Sequence, residues 1–244
     1  MKSAVAAPRR IEEVGVTTPR TRLVDKLEIL EQSEQRQKER GTTVVQALVR
    51  GKRKRAYVHF PENDVRDRRT HSQFFFHTHP DHPGEAGHLH LFLRREGIPP
   101  HVKRRRVPVA SEAGQDGTGM VHLGAISLNR HGTPIRLFTT NLWVTGGDFY
   151  FAQDTLNLLD RFSVTTSWPS TTVNQWVSAL TTVFRGHFAL LLERRDQVMA
   201  AWAQRHPKHN VFEARDLEIP SYMRIDYTAQ IELLRANGLS RSCN

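Results

Sequence analysis

Apolar positions along this 244-residue chain follow two different spacings, and the change between them divides it. In residues 21–40 (TRLVDKLEILEQSEQRQKER), Leu23, Leu27 and Leu30 recur at helical steps before the sequence turns wholly polar, and Gly41 suits the end of that helix. Residues 43–50 predict a second, short helix. From residue 56 the apolar runs shorten, several alternate, and turn residues separate them. Ala56–Phe60, Gln73–His79, His88–Leu93, Met120–Leu128 and Pro134–Thr140 read as strands. Arg130-His131-Gly132 suits a hairpin between the last two, and residues 107–119 read as an exposed loop.

After Gly146-Gly147 the helical spacing returns. Phe149–Phe162 predicts one helix, closed before Trp168-Pro169. A longer one is expected from about Thr172 to Arg205, with Val173, Trp176, Val177, Leu180, Phe184, Phe188, Leu191 and Leu192 as its stripe and Pro207 at its end. Residues 226–237 suggest a final short helix. The order is helices, sheet, helices, which predicts an α+β fold. The expected sheet is small and antiparallel, of about five strands and of a cupin-like or barrel-like kind, flanked by N-terminal and C-terminal helices. Residues 1–20, poor in apolar side chains and carrying two prolines, read as a mobile basic arm. Residues 21–244 read as one domain, with the sheet in 56–145 and a helical portion in 148–240.

Composition narrows the function classes. No stretch approaches the ~20 apolar residues of a spanning helix, so no membrane partner is expected. The N-terminus has no apolar signal core, which points to a cytoplasmic protein. The only cysteine, Cys243, offers neither a disulfide framework nor a thiolate cage, so any metal needs nitrogen and oxygen ligands. The formal charge of +10 is local: residues 1–55 carry a net +7, residues 94–106 (RREGIPPHVKRRR) a net +5, and the rest −2. Lys52, Arg53, Lys54, Arg55, Arg104, Arg105 and Arg106 are the phosphate contacts a nucleic-acid partner would use. Aromatic side chains do not interleave with them, and no zinc-finger or helix-turn-helix spacing is present, which weighs against nucleic acid as the main ligand.

Thirteen histidines change the picture more, because five of them fall within residues 77–90 (HTHPDHPGEAGHLH). Phe74-Phe75-Phe76 leads into that segment and Leu91-Phe92-Leu93 leads out, so two strands flank a turn of prolines and glycines. Alternation puts His77 and His79 on one face, and His88 and His90 on one face. Folded as a hairpin, His79 comes opposite His88 and His77 opposite His90, at about 5 Å between Cβ atoms. Four converging imidazoles suit a transition metal and would repel one another on protonation without one. His122 begins a later strand, on the side of Gly124 and Ile126, and joins the site if that strand lies beside the hairpin. His82 and Glu85, in the turn, are candidates for a proton shuttle or an extra ligand. His59, Asp64 and Asp67 are weaker candidates for partners of the ligands. A second cluster, Thr139–Gly147, leaves a strand and enters a helix, so Asn141 and Trp143 are candidate substrate contacts, with Arg136 as a carboxylate holder and Phe75 as an apolar wall.

Several family patterns are partly present. His77-Thr-His79-Pro80 resembles the His-x-His-Pro motif of the JAB/MPN zinc isopeptidases, with Gly87 and His90 where that family has its Ser and Asp. The His-x-His pair, Glu85 and the later Gly119 with His122 resemble the cupin pattern. His88-Leu-His90-Leu-Phe92 resembles the nucleotide-binding histidine triad, with Phe92 at the third histidine. The longest resemblance is to an uncharacterised family of bacterial proteins. It rests on His59-Phe-Pro, on Ser72-Gln73-Phe-Phe-Phe-His77-x-His79, on Glu85-x-Gly87-His88-x-His90-x-Phe92 and on Leu137-Phe-Thr-Thr-Asn141-x-Trp143-Val-Thr. It covers most of residues 56–200 and implies no activity.

The function expected from these residues is a metal-dependent enzyme acting on a small molecule, with His77, His79, His88, His90 and His122 as the ligand pool. An all-imidazole set favours iron(II) or copper and redox or oxygen chemistry over zinc. Zinc hydrolysis with Glu85 or His82 as base is the alternative, and a non-catalytic metal- or nucleic-acid-binding module is the other class. The long helix from Thr172 leaves room for a homo-oligomer.

Overall fold

In the computed structural model the described residues are 19–53, 55–79, 84–105 and 119–236. The protein is α+β: a six-stranded antiparallel sheet in the order β1-β2-β3-β4-β5-β6, with helices against one face. The strands are β1 (Phe60–Arg66), β2 (Ser72–His77), β3 (Gly87–Leu93), β4 (Val121–Leu128), β5 (Pro134–Thr139) and β6 (Ser221–Arg224). Each pairs with its sequence neighbour, and among the described residues β1 and β6 are the edges, so this sheet is open rather than a closed barrel.

The helices are α1 (Arg20–Glu39), α2 (Val44–Val49), α3 (Leu142–Thr145), α4 (Ala152–Leu159), α5 (Thr171–Val183), α6 (Arg185–Arg205) and α7 (Tyr227–Leu234). α1 buries Leu23, Leu27 and Leu30, its one apolar stripe, and packs against α5. α2 starts in a reciprocal cap: Thr43 accepts from the Gln46 amide, and the Gln46 side chain accepts from the Thr43 amide.

Strand alternation sorts the sheet into two unlike faces. Phe74, Phe76, Leu89, Leu91, Leu93, Ile126, Leu128 and Leu137 point into the core shared with α1, α2, α4, α5 and α6. At about 25 cal/mol per Å² of apolar surface, that layer is the main stabilising contact of the fold. The opposite face carries Gln73, Phe75, His77, His88, His90, Phe92, Ser127, Arg136 and Phe138.

Three elements differ from the sequence expectation. The expected strand over Ala56–Phe60 contributes only an isolated bridge from Ala56 to Thr78, and β1 begins at Phe60 and runs through Pro61, which an edge strand tolerates. The helix expected over Phe149–Phe162 is confined to Ala152–Leu159, because the Tyr150 carbonyl is taken by Thr155 and Arg195. The helix expected over Thr172–Arg205 is two, broken at Phe184 (φ −101°, ψ 16°). A straight helix of that length would span ~50 Å, about twice the ~26 Å of the longest strand. The break lets α5 lie on α1 while α6 lies on β5 and β6, with Phe184 and Phe188 both buried. β6 was not expected.

Asp67 fixes the loop after β1 to the loop before α5. Its Oδ1 accepts from the Arg69 and Thr70 amides, and its Oδ2 from the Thr165 amide, the Thr165 hydroxyl and the Thr166 amide. Burial alone would raise this carboxyl's pKa, but the donors outweigh it and hold the group well below the ordinary aspartate range.

Candidate metal centre

β2 and β3 run antiparallel with His77 opposite His88 and Phe75 opposite His90. This register differs by two residues from the expected pairing of His79 with His88 and His77 with His90. Its cause is local. β2 ends at His77, Thr78 turns away to bridge Ala56, and the connecting segment re-enters at Gly87 with φ +141°. A Cβ on Gly87 would sit 2.3 Å from the His77 carbonyl oxygen and 2.5 Å from the Phe76 ring, so only glycine lets β3 approach β2 at the His77–His88 pair.

The side of His122 also differs from expectation. Regular alternation in β4 would put it with Ile126, in the core. A bulge opposite Leu91 and Phe92 instead makes His122 the partner of Phe92, on the histidine face. Gly124 (φ +145°) lies at that irregularity, and a Cβ there would meet the Phe188 ring at 2.7 Å.

The rings converge through their Nε2 atoms. His77 Nε2 is 2.6 Å from His88 Nε2 and 3.1 Å from His90 Nε2. One nitrogen from each of His77, His88 and His90 lies within 4.8 Å of the others, so the three form a group able to hold a metal ion. Nitrogens ~2.0–2.1 Å from a shared ion lie roughly 2.9–3.4 Å apart in octahedral or tetrahedral geometry, close to the spacing seen. His79 lies past the end of β2 and outside this group. Its ring centroid is 4.8 Å from that of His77, 5.0 Å from that of His88 and 4.7 Å from that of Tyr57.

The far side of two rings is also held. His88 Nδ1 is 2.5 Å from Glu85 Oε1. A carboxylate only accepts, so Nδ1 carries a proton, and in the neutral ring Nε2 keeps its lone pair. Glu85 Oε2 accepts from Arg136 at 2.9 Å, and Arg136 Nε donates to Ser127 Oγ at 3.1 Å. Behind His90, Nδ1 is 3.0 Å from His122 Nε2, and His122 Nδ1 is 3.1 Å from Thr140 Oγ1, itself 3.4 Å from Thr145 Oγ1. One consistent direction, with His90 donating to His122 and His122 to Thr140, leaves the His90 Nε2 lone pair toward His77.

Environment favours the neutral form of His77, His90 and His122. Burial, and then the neighbouring His88, His79 and His59, push His77 down to about 3. Burial, followed by Arg195 and His88, pushes His122 down to about 3. Burial first, then His122, His88 and His77, holds His90 well below its ordinary value. Neutral imidazoles are the form that binds metal, so His77 and His90 need little proton release near neutral pH. Burial alone would raise the pKa of Glu85, but the hydrogen bond and charge of His88 and the charge of Arg136 hold it below the ordinary glutamate range.

The other expected residues have defined places. Phe75 is buried on the histidine face, stacked 3.6 Å from the His59 ring and 5.1 Å from the His90 ring. His59 Nδ1 is 2.9 Å from Asp64 Oδ1, and Asp64 Oδ2 accepts from Gln73 at 2.8 Å, so this pair borders the centre, whereas Asp67 belongs to the loop tie described above. Asn141 caps α3 by accepting from the Leu142 amide and donates to the Val211 carbonyl at 2.8 Å. Trp143 donates to the Ala214 carbonyl at 2.9 Å, with Arg215 over its ring. Both anchor α3 to the turns after α6. His82, Lys54, Arg106 and most of the expected 107–119 loop lie outside the described residues. Lys52 pairs with Glu62, Arg104 with Asp148, and Arg105 lies over Phe151. Sequence reading missed Ser127, Gln73 and the partner role of Thr140. Alternation from Ala125 and Phe75 gives the faces of the first two only once the register is known.

No curated protein and no solved structure matches the chain. One family model does, over residues 25–225, a span that runs from α1 into the loop after β6 and holds every residue of the centre. The chain belongs to the family described as a domain of unknown function (DUF6969).

Proposed function

We propose that this protein is a metal-dependent enzyme acting on a small molecule, with the metal held by Nε2 of His77, His88 and His90. The observation that carries the reading is the convergence of three imidazole nitrogens, two of the rings held from behind by Glu85 and by His122. Ligating histidines ordinarily have their second nitrogen engaged in this way. Glu85 and His122 act by orienting His88 and His90. His79, at the rim, and His82 are reserve ligands or proton carriers. Three protein ligands leave coordination positions open, and the buried rings of Phe75, Phe92 and Phe138 pack against the imidazoles and give the centre apolar surroundings.

Iron(II) or copper fits this all-nitrogen set, and such an ion supplies redox chemistry at an open position. Zinc hydrolysis is the second reading. It needs a general base, and both oxygens of Glu85 are already engaged by His88 and Arg136, which leaves that role to His79 or His82 and favours the redox reading. The test is elemental analysis of the purified protein, repeated on His77→Ala, His88→Ala and His90→Ala. The expected result is about one metal per chain, lost in each variant while circular dichroism stays unchanged. Unchanged metal content in the variants would sink the assignment. Visible charge-transfer or d–d bands support iron or copper, and a silent spectrum with stoichiometric zinc supports hydrolysis.

A further inference from the structure

β5 and β6 make Arg136 and Arg224 direct Cα partners, so both side chains leave the sheet on the histidine face. Like charges directly opposite one another destabilise a strand pair. Arg136 is compensated by Glu85 at 2.9 Å and rests over the Phe138 ring at 5.1 Å. The Arg224 side chain is exposed and, among the described residues, makes no side-chain hydrogen bond or ion pair. Glu85 is already shared with His88, so one carboxylate stands against two guanidiniums. The neighbouring pair on the same face is aromatic: Phe138 lies opposite Tyr222, which is 67% exposed. Phe138 in turn meets the His88 ring edge to face at 4.9 Å between centroids.

We propose that this corner is an anion subsite beside the metal centre, and that the substrate is a small aromatic or apolar molecule bearing an oxyanion. Arg224, with the free edge of Arg136, holds the anion, as planar guanidinium groups do. The ring lies on the exposed Tyr222, with the buried Phe138 beneath that corner, and directs the rest of the molecule toward the Nε2 atoms. A like-charge pair served by a single shared carboxylate is explained by a negatively charged guest. The catalytic meaning of the subsite rests on the metal reading above, whereas anion binding itself does not.

The probes are benzoate and phenyl phosphate, which share a ring and differ in the anion, with benzyl alcohol as the neutral comparison. Calorimetric titration uses the full chain as purified and after chelator treatment. The expected result is one site for at least one of the two anions in both preparations, with benzyl alcohol weaker. Arg224→Gln weakens the anion roughly tenfold or more, Arg224→Lys weakens it less because the charge stays while the fork is lost, and Arg36→Gln on α1 leaves it unchanged. Absence of binding by either anion, or equal losses in Arg224→Gln and Arg36→Gln, would overturn the subsite. Metal content is read on the same samples. Stoichiometric metal with no anion binding removes the subsite alone. Anion binding sensitive to Arg224→Gln in a protein that takes up no metal supports the subsite and removes the metal reading alone.

Discussion

Replacing Glu85 with glutamine tests whether the carboxylate behind His88 tunes the metal site. Glu85 and His88 are almost fully buried, with side chains 7% and 4% exposed, and their hydrogen bond is 2.5 Å long. The substitution keeps shape and removes charge. A hydrogen bond to a charged group contributes about 1.5–3 kcal/mol and a neutral one about 0.5–1.5 kcal/mol, so the imidazole loses ~1–1.5 kcal/mol of polarisation. That converts to a roughly tenfold loss of metal affinity, the low end of what such outer partners usually contribute. Stability falls separately. The amide has one acceptor oxygen where Glu85 serves both His88 and Arg136, so one buried donor faces an NH₂ group, at about 1–3 kcal/mol. Chelator competition reads the first effect and denaturant unfolding of the metal-free protein reads the second. Affinity unchanged within about twofold, in a protein whose His88→Ala variant binds no metal, would refute the argument that Glu85 acts through His88.

Three further outcomes follow from the geometry. His122→Phe keeps the bulk of the ring but leaves His90 Nδ1 without its partner; metal affinity should fall about tenfold by the same chelator assay, and full retention would remove His122 from the site. Gly87→Ala places a methyl against the His77 carbonyl and should destabilise the protein by about 2–4 kcal/mol in denaturant unfolding while also weakening metal binding; a loss below ~1 kcal/mol would show that β3 need not approach β2 so closely. Asp67→Asn should cost about 2–4 kcal/mol at neutral pH. Because the folded-state pKa of Asp67 is depressed, its contribution is present above the unfolded value of 3.8 and disappears as pH falls below it. The gap in thermal midpoint between wild type and Asp67→Asn should therefore narrow below about pH 4, and a constant gap from pH 6 to 3 would contradict the role of the charge.

The sequence by itself determined the local elements and the candidate chemistry. The Leu23, Leu27 and Leu30 stripe specifies α1, the aromatic and aliphatic runs around residues 73–93 specify β2 and β3, and the absence of internal cysteine leaves imidazole as the ligand. Those features are short-range, since periodicity and composition act within a few residues. Which histidines meet was not local. Side-chain period is two, so a register shift of two keeps every residue on its face but changes every partner, and the sequence alone cannot choose between such registers. The tertiary structure chose by way of Gly87, whose missing Cβ allows the close approach that pairs His77 with His88. A single inserted residue reverses a face, and the bulge in β4 did this for His122, carrying it from the expected core side to the back of His90. The break at Phe184 has the same kind of origin, because helical spacing continues through it while the size of the sheet requires two helices in different directions. Arg224 gained its meaning only from pairing with Arg136 across 88 residues of chain, a relation that the β5–β6 register creates and that no local pattern encodes.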